Sequence, residues 1–306
     1  MILCCGEALI DMLPRQTRDD EDAFMPLPGG AVFNTAIALG RLGTQTGFLS
    51  GLSSDLFGEL LVKSLSTSGV SSDLAIFSDR PTTLAFVRLE KGQAQYTFYD
   101  ENTAGRTLTP EDLPALPDTV KAMFFGGISL VGEPCGLAYE TLMTRESRRR
   151  VTMIDPNIRA SFITDEPRYR ARISKMVRMA NILKLSDEDL HWLCGDGDTD
   201  DLARAQLGEN CHLVLITKGA KGATAFSRKE RVSIDASTVQ MVDTVGAGDT
   251  FNAGFLAVLD RLDLLSQQAV GELDAGAIHQ ALDLGVRAAG VTVSRAGANP
   301  PWADEV

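Results

Sequence analysis

The sequence predicts an α/β fold, a mainly parallel sheet with helices on both faces and a small β lid added to it. Three observations carry this expectation. Short β-rich apolar runs alternate with helical patterns for most of the 306 residues, as they do where crossover helices cover a parallel sheet. One stretch, 82–100, breaks that rhythm with two β-like runs in succession. No repeat, low-complexity tract or linker divides the chain, so residues 1–306 are expected to form one domain.

The elements follow in order. Ile2–Leu13 opens as a strand, and Gln16–Pro28 is an acidic, proline-containing segment. Gly30 leads into a helix with Val32, Phe33, Ala36, Ile37 and Leu39 on its apolar face, ended by Gly43. Thr46–Leu52 is the next strand; Phe57, Leu60, Leu61 and Leu65 then recur at helical spacing before Gly69. Thr82–Leu89 and Gln93–Asp100, joined at Glu90-Lys91-Gly92, read as a hairpin. With residues near 12–28 it forms the expected lid, made of segments at about 12–28 and 80–106. Further strands are expected at Ala122–Gly126, Val151–Asp155, Ile182–Leu185 and Leu213–Thr217.

Composition narrows the function. The chain carries 29 Lys plus Arg against 41 Asp plus Glu, a net charge of −12. Such a surface repels nucleic acid and anionic membranes at long range, so neither is an expected partner. It does not exclude a small phosphorylated ligand held by local backbone dipoles. The one basic run, Arg148-Arg149-Arg150, reads as a solvated helix end. No apolar run approaches the roughly 18–20 residues of a membrane span. The first residues lack the flanks of a signal peptide, and the 5 cysteines contain no Cys-x-x-Cys pair. Reduced thiols and a cytoplasmic location are therefore expected. The 3 histidines show no zinc-ligand spacing.

The chemistry concentrates in Asp243-Thr-Val-Gly-Ala-Gly-Asp-Thr-Phe-Asn-Ala-Gly-Phe255. Gly246, Ala247 and Gly248 precede a helical pattern, and small residues at a helix amino end let bare N–H groups approach an anion. Asp249 falls in the first turn. From these residues alone it is either a helix cap or a carboxylate placed to take a hydroxyl proton. No Gly-x-x-x-x-Gly-Lys-Ser/Thr occurs, and Gly246-x-Gly248 lacks the third glycine of a dinucleotide fingerprint. Pro28-Gly29-Gly30-Ala-Val-Phe-Asn34 is the second stretch: paired glycines for close approach, and an asparagine that both donates and accepts. Asp11, within an apolar run, is either a strand end or an acceptor for a vicinal diol.

Gly-Gly-x-x-x-Asn near the beginning, paired with Asp-Thr-x-Gly-Ala-Gly-Asp-Thr-Phe near the end, resembles the ribokinase-like (PfkB) sugar kinase family. Gly6-Glu-Ala-Leu-Ile-Asp-Met, Tyr99-Asp-Glu-Asn-Thr-Ala and Asp155-Pro-Asn-Ile-Arg159 are similar to phrases of its fructokinases. The resemblance implies an ATP-dependent kinase acting on a primary hydroxyl of a sugar, fructose first. It implies Asp249 as base, an anion hole at Gly246, Ala247 and Gly248, and Arg159 reaching substrate and transferring phosphate. The sugar would be held by Asp11, Gly29, Gly30 and Asn34 with the lid residues Phe98, Asn102 and Arg106. The nucleotide would lie along Lys184, Thr217, Lys218, Gly219 and Gly222, with Ala288 and Gly297 flanking adenine.

Mg²⁺ would accompany ATP. The family's Asn-x-x-Glu is Ser186-Asp-Glu-Asp189 here, so Asp189, acting through water, or Glu188 would take the glutamate's place. A K⁺ site is implied at Asp243 with carbonyls near Val245 and Gly297. The resemblance also implies a homodimer formed through the lid. Within the family, 2-keto-3-deoxygluconate or ribose are alternative acceptors, and Arg88 and Arg106 keep an acidic sugar open. A catalytically inactive sugar-binding regulator is the reading from another class.

Overall fold

The computed structural model describes residues 1–90 and 93–306. Strand β1 (Ile2–Cys5) is followed by β2 (Leu9–Gln16), β3 (Asp22–Gly29) and helix α1 (Ala31–Arg41). Next come β4 (Thr46–Leu49), β5 (Gly51–Ser53), α2 (Leu56–Thr67), β6 (Val70–Ser71) and β7 (Ile76–Ser78). The hairpin strands are β8 (Leu84–Glu90) and β9 (Gln93–Tyr99). The expected turn at Lys91 and Gly92 lies outside the described residues, as do the side chains of residues 88–95, Arg88 among them. The alternating half runs β10 (Ala122–Gly126), α3 (Cys135–Glu146), β11 (Val151–Asp155), α4 (Glu166–Met179), β12 (Ile182–Ser186), α5 (Asp187–Cys194), α6 (Thr199–Arg204) and β13 (Leu213–Thr217). It closes with β14 (Ala223–Phe226), β15 (Arg231–Ile234), α7 (Ala247–Arg261), α8 (Gln267–Gly271) and α9 (Ala275–Val293).

Nine strands form the main sheet in the order β15-β14-β13-β12-β11-β10-β1-β4-β6. Pairing is parallel from β6 through β13, while β14 and β15 add antiparallel at one edge. Alternate residues of each strand enter opposite cores. Ile2, Cys4, Leu213 and Leu215 pack with α1, α7 and α9, whereas Leu3, Cys5, Met123 and Phe125 pack with α3 and α4. Helices α7 and α9 meet where a side chain on Gly254 would run into the backbone of Gly285, so both positions stay bare.

Two expected strands divide. Ile2–Leu13 breaks at Gly6–Ala8, and its second half leaves the main sheet. Thr46–Leu52 breaks at Ser50, which sends β5 to pair with β7. The segment 16–28 is strand for most of its length: β3 pairs antiparallel with β2, and β2 lies parallel to β8. The resulting four-stranded sheet, β3-β2-β8-β9, is built from the segments expected to form the lid. Arg150 also departs from expectation, being buried against the Glu146 carboxylate at 2.9 Å, while Arg148 and Arg149 are exposed. Among the described residues no helix is long and apolar enough to cross a membrane.

Strand order reverses around β1, between β10 and β4, and a crevice opens at the carboxyl ends of the strands beside that switch. Glu7 follows β1, Gly127 follows β10, Asp155 ends β11 and Lys184 lies in β12. The lid roots beside them, because β1 passes into β2 and β3 passes into α1.

Candidate active site

A cavity of about 360 Å³ lies between the lid and these strand ends. Of the residues expected at the site, it is lined by Asp11, Gly30, Asn34, Phe98, Arg159, Lys184, Val245, Gly246, Gly248 and Asp249. The structure thus gathers residues from all three thirds of the chain around one cavity.

Helix α7 begins at Ala247 after Gly246, whose left-handed φ of 78° directs the chain into the helix. A Cβ on Gly246 would stand 2.8 Å from the Ala298 side chain, so glycine is required both by conformation and by space. No side chain caps this helix; Ala247 N donates to the Thr244 carbonyl at 3.3 Å and lies off the cavity, while Gly246 and Gly248 line it. Asp249 sits in the first turn and is buried. Its Oδ2 accepts a hydrogen bond from Asn34 Nδ2 at 2.9 Å. Burial pushes the Asp249 carboxyl up to about 7; the Asn34 amide and Lys184 oppose this, while Asp155 and Glu7 add to it. A base whose affinity lies near neutrality is suited to accept a hydroxyl proton.

The lid supplies Asp11 from β2, pushed up to about 6 by burial. A side chain on Gly29, its neighbour on β3, would fall 2.2 Å from Asp11 Oδ2, so the bare glycine makes room for that carboxylate. Phe98 stacks edge-on against Phe162 at 4.5 Å between ring centres, and both face the cavity. Arg159 is exposed at the cavity rim and donates to the Ile158 carbonyl at 3.0 Å.

Other expected residues lie elsewhere. Arg106 pairs with Asp100, donates to the Glu133 carbonyl at 2.8 Å and borders a smaller neighbouring cavity. Asn102 occupies an exposed turn at φ 59°. Thr217, Lys218, Gly219 and Gly222 form the tight connection from β13 to β14 and do not line this cavity. Ala288 is fully buried in α9. Asp243 binds the two flanking loops together, accepting from Val245 N at 3.0 Å and Gly297 N at 2.9 Å. Asp189 is buried, and its carboxylate accepts from Ile158 N at 3.1 Å and Ser186 N at 3.4 Å.

Sequence reasoning passed over Glu7 and Asp155. Glu7 is buried, with its carboxyl raised by desolvation, and accepts from Ala31 N at 2.9 Å and Ser129 N at 3.2 Å. It therefore caps α1 from outside that helix. Asp155 is buried at the end of β11 and accepts from Lys184 Nζ at 2.8 Å and Asn252 Nδ2 at 2.7 Å. A carboxylate inside an apolar run was the available signal in both cases, and it was read only at Asp11.

The pattern of the pfkB family of carbohydrate kinases matches residues 1–305. A fructokinase of Rhizobium leguminosarum bv. trifolii is 51% identical over 283 residues, covering 92% of this chain and 87% of the relative. Fructokinase-2 of Solanum habrochaites is 32% identical over 316 residues, covering 100% and 94%. Among solved structures, a Xylella fastidiosa fructokinase with bound ATP superposes with a TM-score of 0.90 at 27% identity, covering 99% of this chain and 96% of that one. A buried carboxylate and open helix amino end beside a lidded crevice, on a chain matched over nearly its whole length, have one explanation: the protein belongs to the pfkB family of carbohydrate kinases.

Proposed function

We propose that the protein transfers the γ-phosphoryl group of ATP to a primary hydroxyl of fructose. The observation that carries this reading is the position of Asp249, buried at the uncapped amino end of α7 on the wall of the lidded cavity. Asn34 donates to Oδ2 alone, which leaves Oδ1 to take the hydroxyl proton. The sugar oxygen then bonds to the γ-phosphorus, the bond from that phosphorus to the ADP oxygen breaks, and Asp249 holds the proton. The backbone at Gly246 and Gly248, lining the cavity, faces the charge that develops on the phosphoryl oxygens. Lys184 and Arg159, lining the same cavity, add positive charge. Asp11 reaches the sugar from the lid, so binding draws the lid closed and excludes water.

ATP fits this donor set of N–H groups, an ammonium and a guanidinium. Among the described residues no three carboxylate, histidine or cysteine side chains gather to hold a metal ion. Mg²⁺ would therefore be held mainly by the phosphates, where it neutralises their charge. Asp189 would act through water, since its carboxylate already receives two backbone N–H groups. Asp243, between the loops of Val245 and Gly297, would hold a K⁺ ion with nearby carbonyl oxygens.

A homodimer through the lid is part of this proposal. Phe24, Phe86 and Tyr99 form an edge-to-face cluster on the lid, with Phe24 and Tyr99 exposed. A cytoplasmic location is supported by five unpaired cysteines.

The test is ADP release with Mg-ATP against fructose, ribose, 2-keto-3-deoxygluconate, glucose and adenosine. A dominant response to fructose is expected. A stronger response to ribose or to the keto acid would overturn the acceptor while retaining the chemistry. Sugar binding without ADP release from any acceptor would point to a regulator.

A further inference from the structure

Behind the anion hole lies a buried polar cluster in which only Lys184 has been given a role. Asp155, Lys184 and Asn252 are 2%, 4% and 0% exposed. Two donors converge on Asp155 Oδ2, Lys184 Nζ at 2.8 Å and Asn252 Nδ2 at 2.7 Å, while Oδ1 accepts from Asn157 N at 3.2 Å. A Cβ added to Gly248 would come within 3.2 Å of Lys184 Nζ, so the ammonium lies directly against the amino end of α7. Asn252 spends its amide on Asp155 and leaves its own oxygen buried with no partner among the described residues. That arrangement is unfavourable for folding by itself.

We infer that Asp155 and Asn252 are positioning residues that hold the Lys184 ammonium against the anion hole, where the transferred phosphoryl group arrives. This assignment rests on the kinase reading of the site. A lysine stem is flexible, and its ammonium can be fixed only by partners. One partner, Asp155, ends the strand before the Arg159 turn, and the other, Asn252, lies one helical turn after Asp249. The same contacts therefore set three distances at once: lysine to anion hole, lysine to base, and the Arg159 turn to both.

The cluster also bears on the base. Asp249 is faced by Glu7 from the β1–β2 connection, by Asp155 from β11, by Lys184 from β12 and by the neutral Asn34 amide from α1, while Arg159 lines the same cavity. Removing the anion of Asp155 lets Asp249 ionise at lower pH, and removing the cation of Lys184 has the opposite effect.

The experiment compares wild type, Asp155→Asn, Lys184→Met and Asn252→Ser in the pH profile of kcat/KM for fructose. Calorimetric sugar binding and thermal melting accompany each profile. The acid limb is expected to move down by about one pH unit in Asp155→Asn and up by about one in Lys184→Met. Asn252→Ser is expected to lower kcat roughly tenfold or more with the sugar Kd unchanged. Limbs that stay in place, or move in the same direction in both charge variants, overturn the inference. If Asp155→Asn does not fold, an unmoved limb in Lys184→Met together with an unchanged kcat in Asn252→Ser overturns it. A wild type that phosphorylates no sugar would instead defeat the kinase reading, before any variant is compared.

Discussion

Asn34 Nδ2 lies 2.9 Å from Asp249 Oδ2, a buried hydrogen bond between residues 215 positions apart in the chain. It fixes the first turn of α1 to the first turn of α7, and so joins the helix entered from the lid to the helix that carries the base.

The first prediction concerns that base. Asp249→Asn should reduce turnover by roughly 10²–10⁴-fold, the range for general base catalysis, while calorimetry shows nearly unchanged sugar affinity. Retention of more than about a tenth of wild-type turnover would exclude the assignment.

The second concerns acidity. Catalysis needs the ionised carboxylate, so kcat/KM should fall as pH drops through the Asp249 value of about 7. Asn34 donates to the charged form and lowers that value. Asn34→Ala should therefore move the acid limb to higher pH and weaken sugar binding. A limb that moves down, read from the same profiles, would contradict the contact.

The third is a gain in stability. A carboxyl whose affinity is raised on folding favours the folded state fully below its unfolded value, and that contribution is lost as pH rises through about 7. At pH 8 wild type therefore holds an unfavourable buried charge that Asp249→Asn lacks. Thermal melting at pH 8 should show the inactive variant higher by about 1.5 °C for each kcal/mol relieved. The difference should vanish near pH 4.

The fourth concerns Glu7, which receives Ala31 N and Ser129 N beside the lid roots. Glu7→Ala leaves two donors without that acceptor and should cost about 1–3 kcal/mol. Hydrogen exchange should rise at the beginning of α1, and kcat should fall with it. Glu7→Gln, which keeps one acceptor oxygen, should recover part of both; an exchange rate equal to wild type in Glu7→Ala would refute the capping role.

The central strands were legible because burial on both faces makes them uniform apolar runs: 122–126, 151–155 and 213–217 stand where the sequence places them. The lid strands were harder to read. Pro14, Pro26 and Pro28 and the charges of 15–22 obscure β2 and β3; β3 is an edge strand, and Pro14 lies beyond the part of β2 that pairs with β8, so each proline is tolerated. Residues 223–234 were passed over because β14 and β15 turn back antiparallel, against the rhythm of the rest. Within the site, Asp249 and Asn34 stood out through their glycine-rich surroundings. Asp155 did not, since its role depends on Lys184 and Asn252, which only the folded chain brings near. Arg106 looked suited to the lid, yet Asp100, six positions earlier, already engages it.

The burial of Asp249 has a consequence for control of flux. Phosphorylation of an alcohol by ATP releases a proton near neutral pH. On the proposed role of Asp249, whose burial raises its carboxyl to about 7, the acid released by rapid turnover in a poorly buffered volume would protonate the base and slow the reaction. Such a brake would need no effector site and would be set by the depth of one side chain.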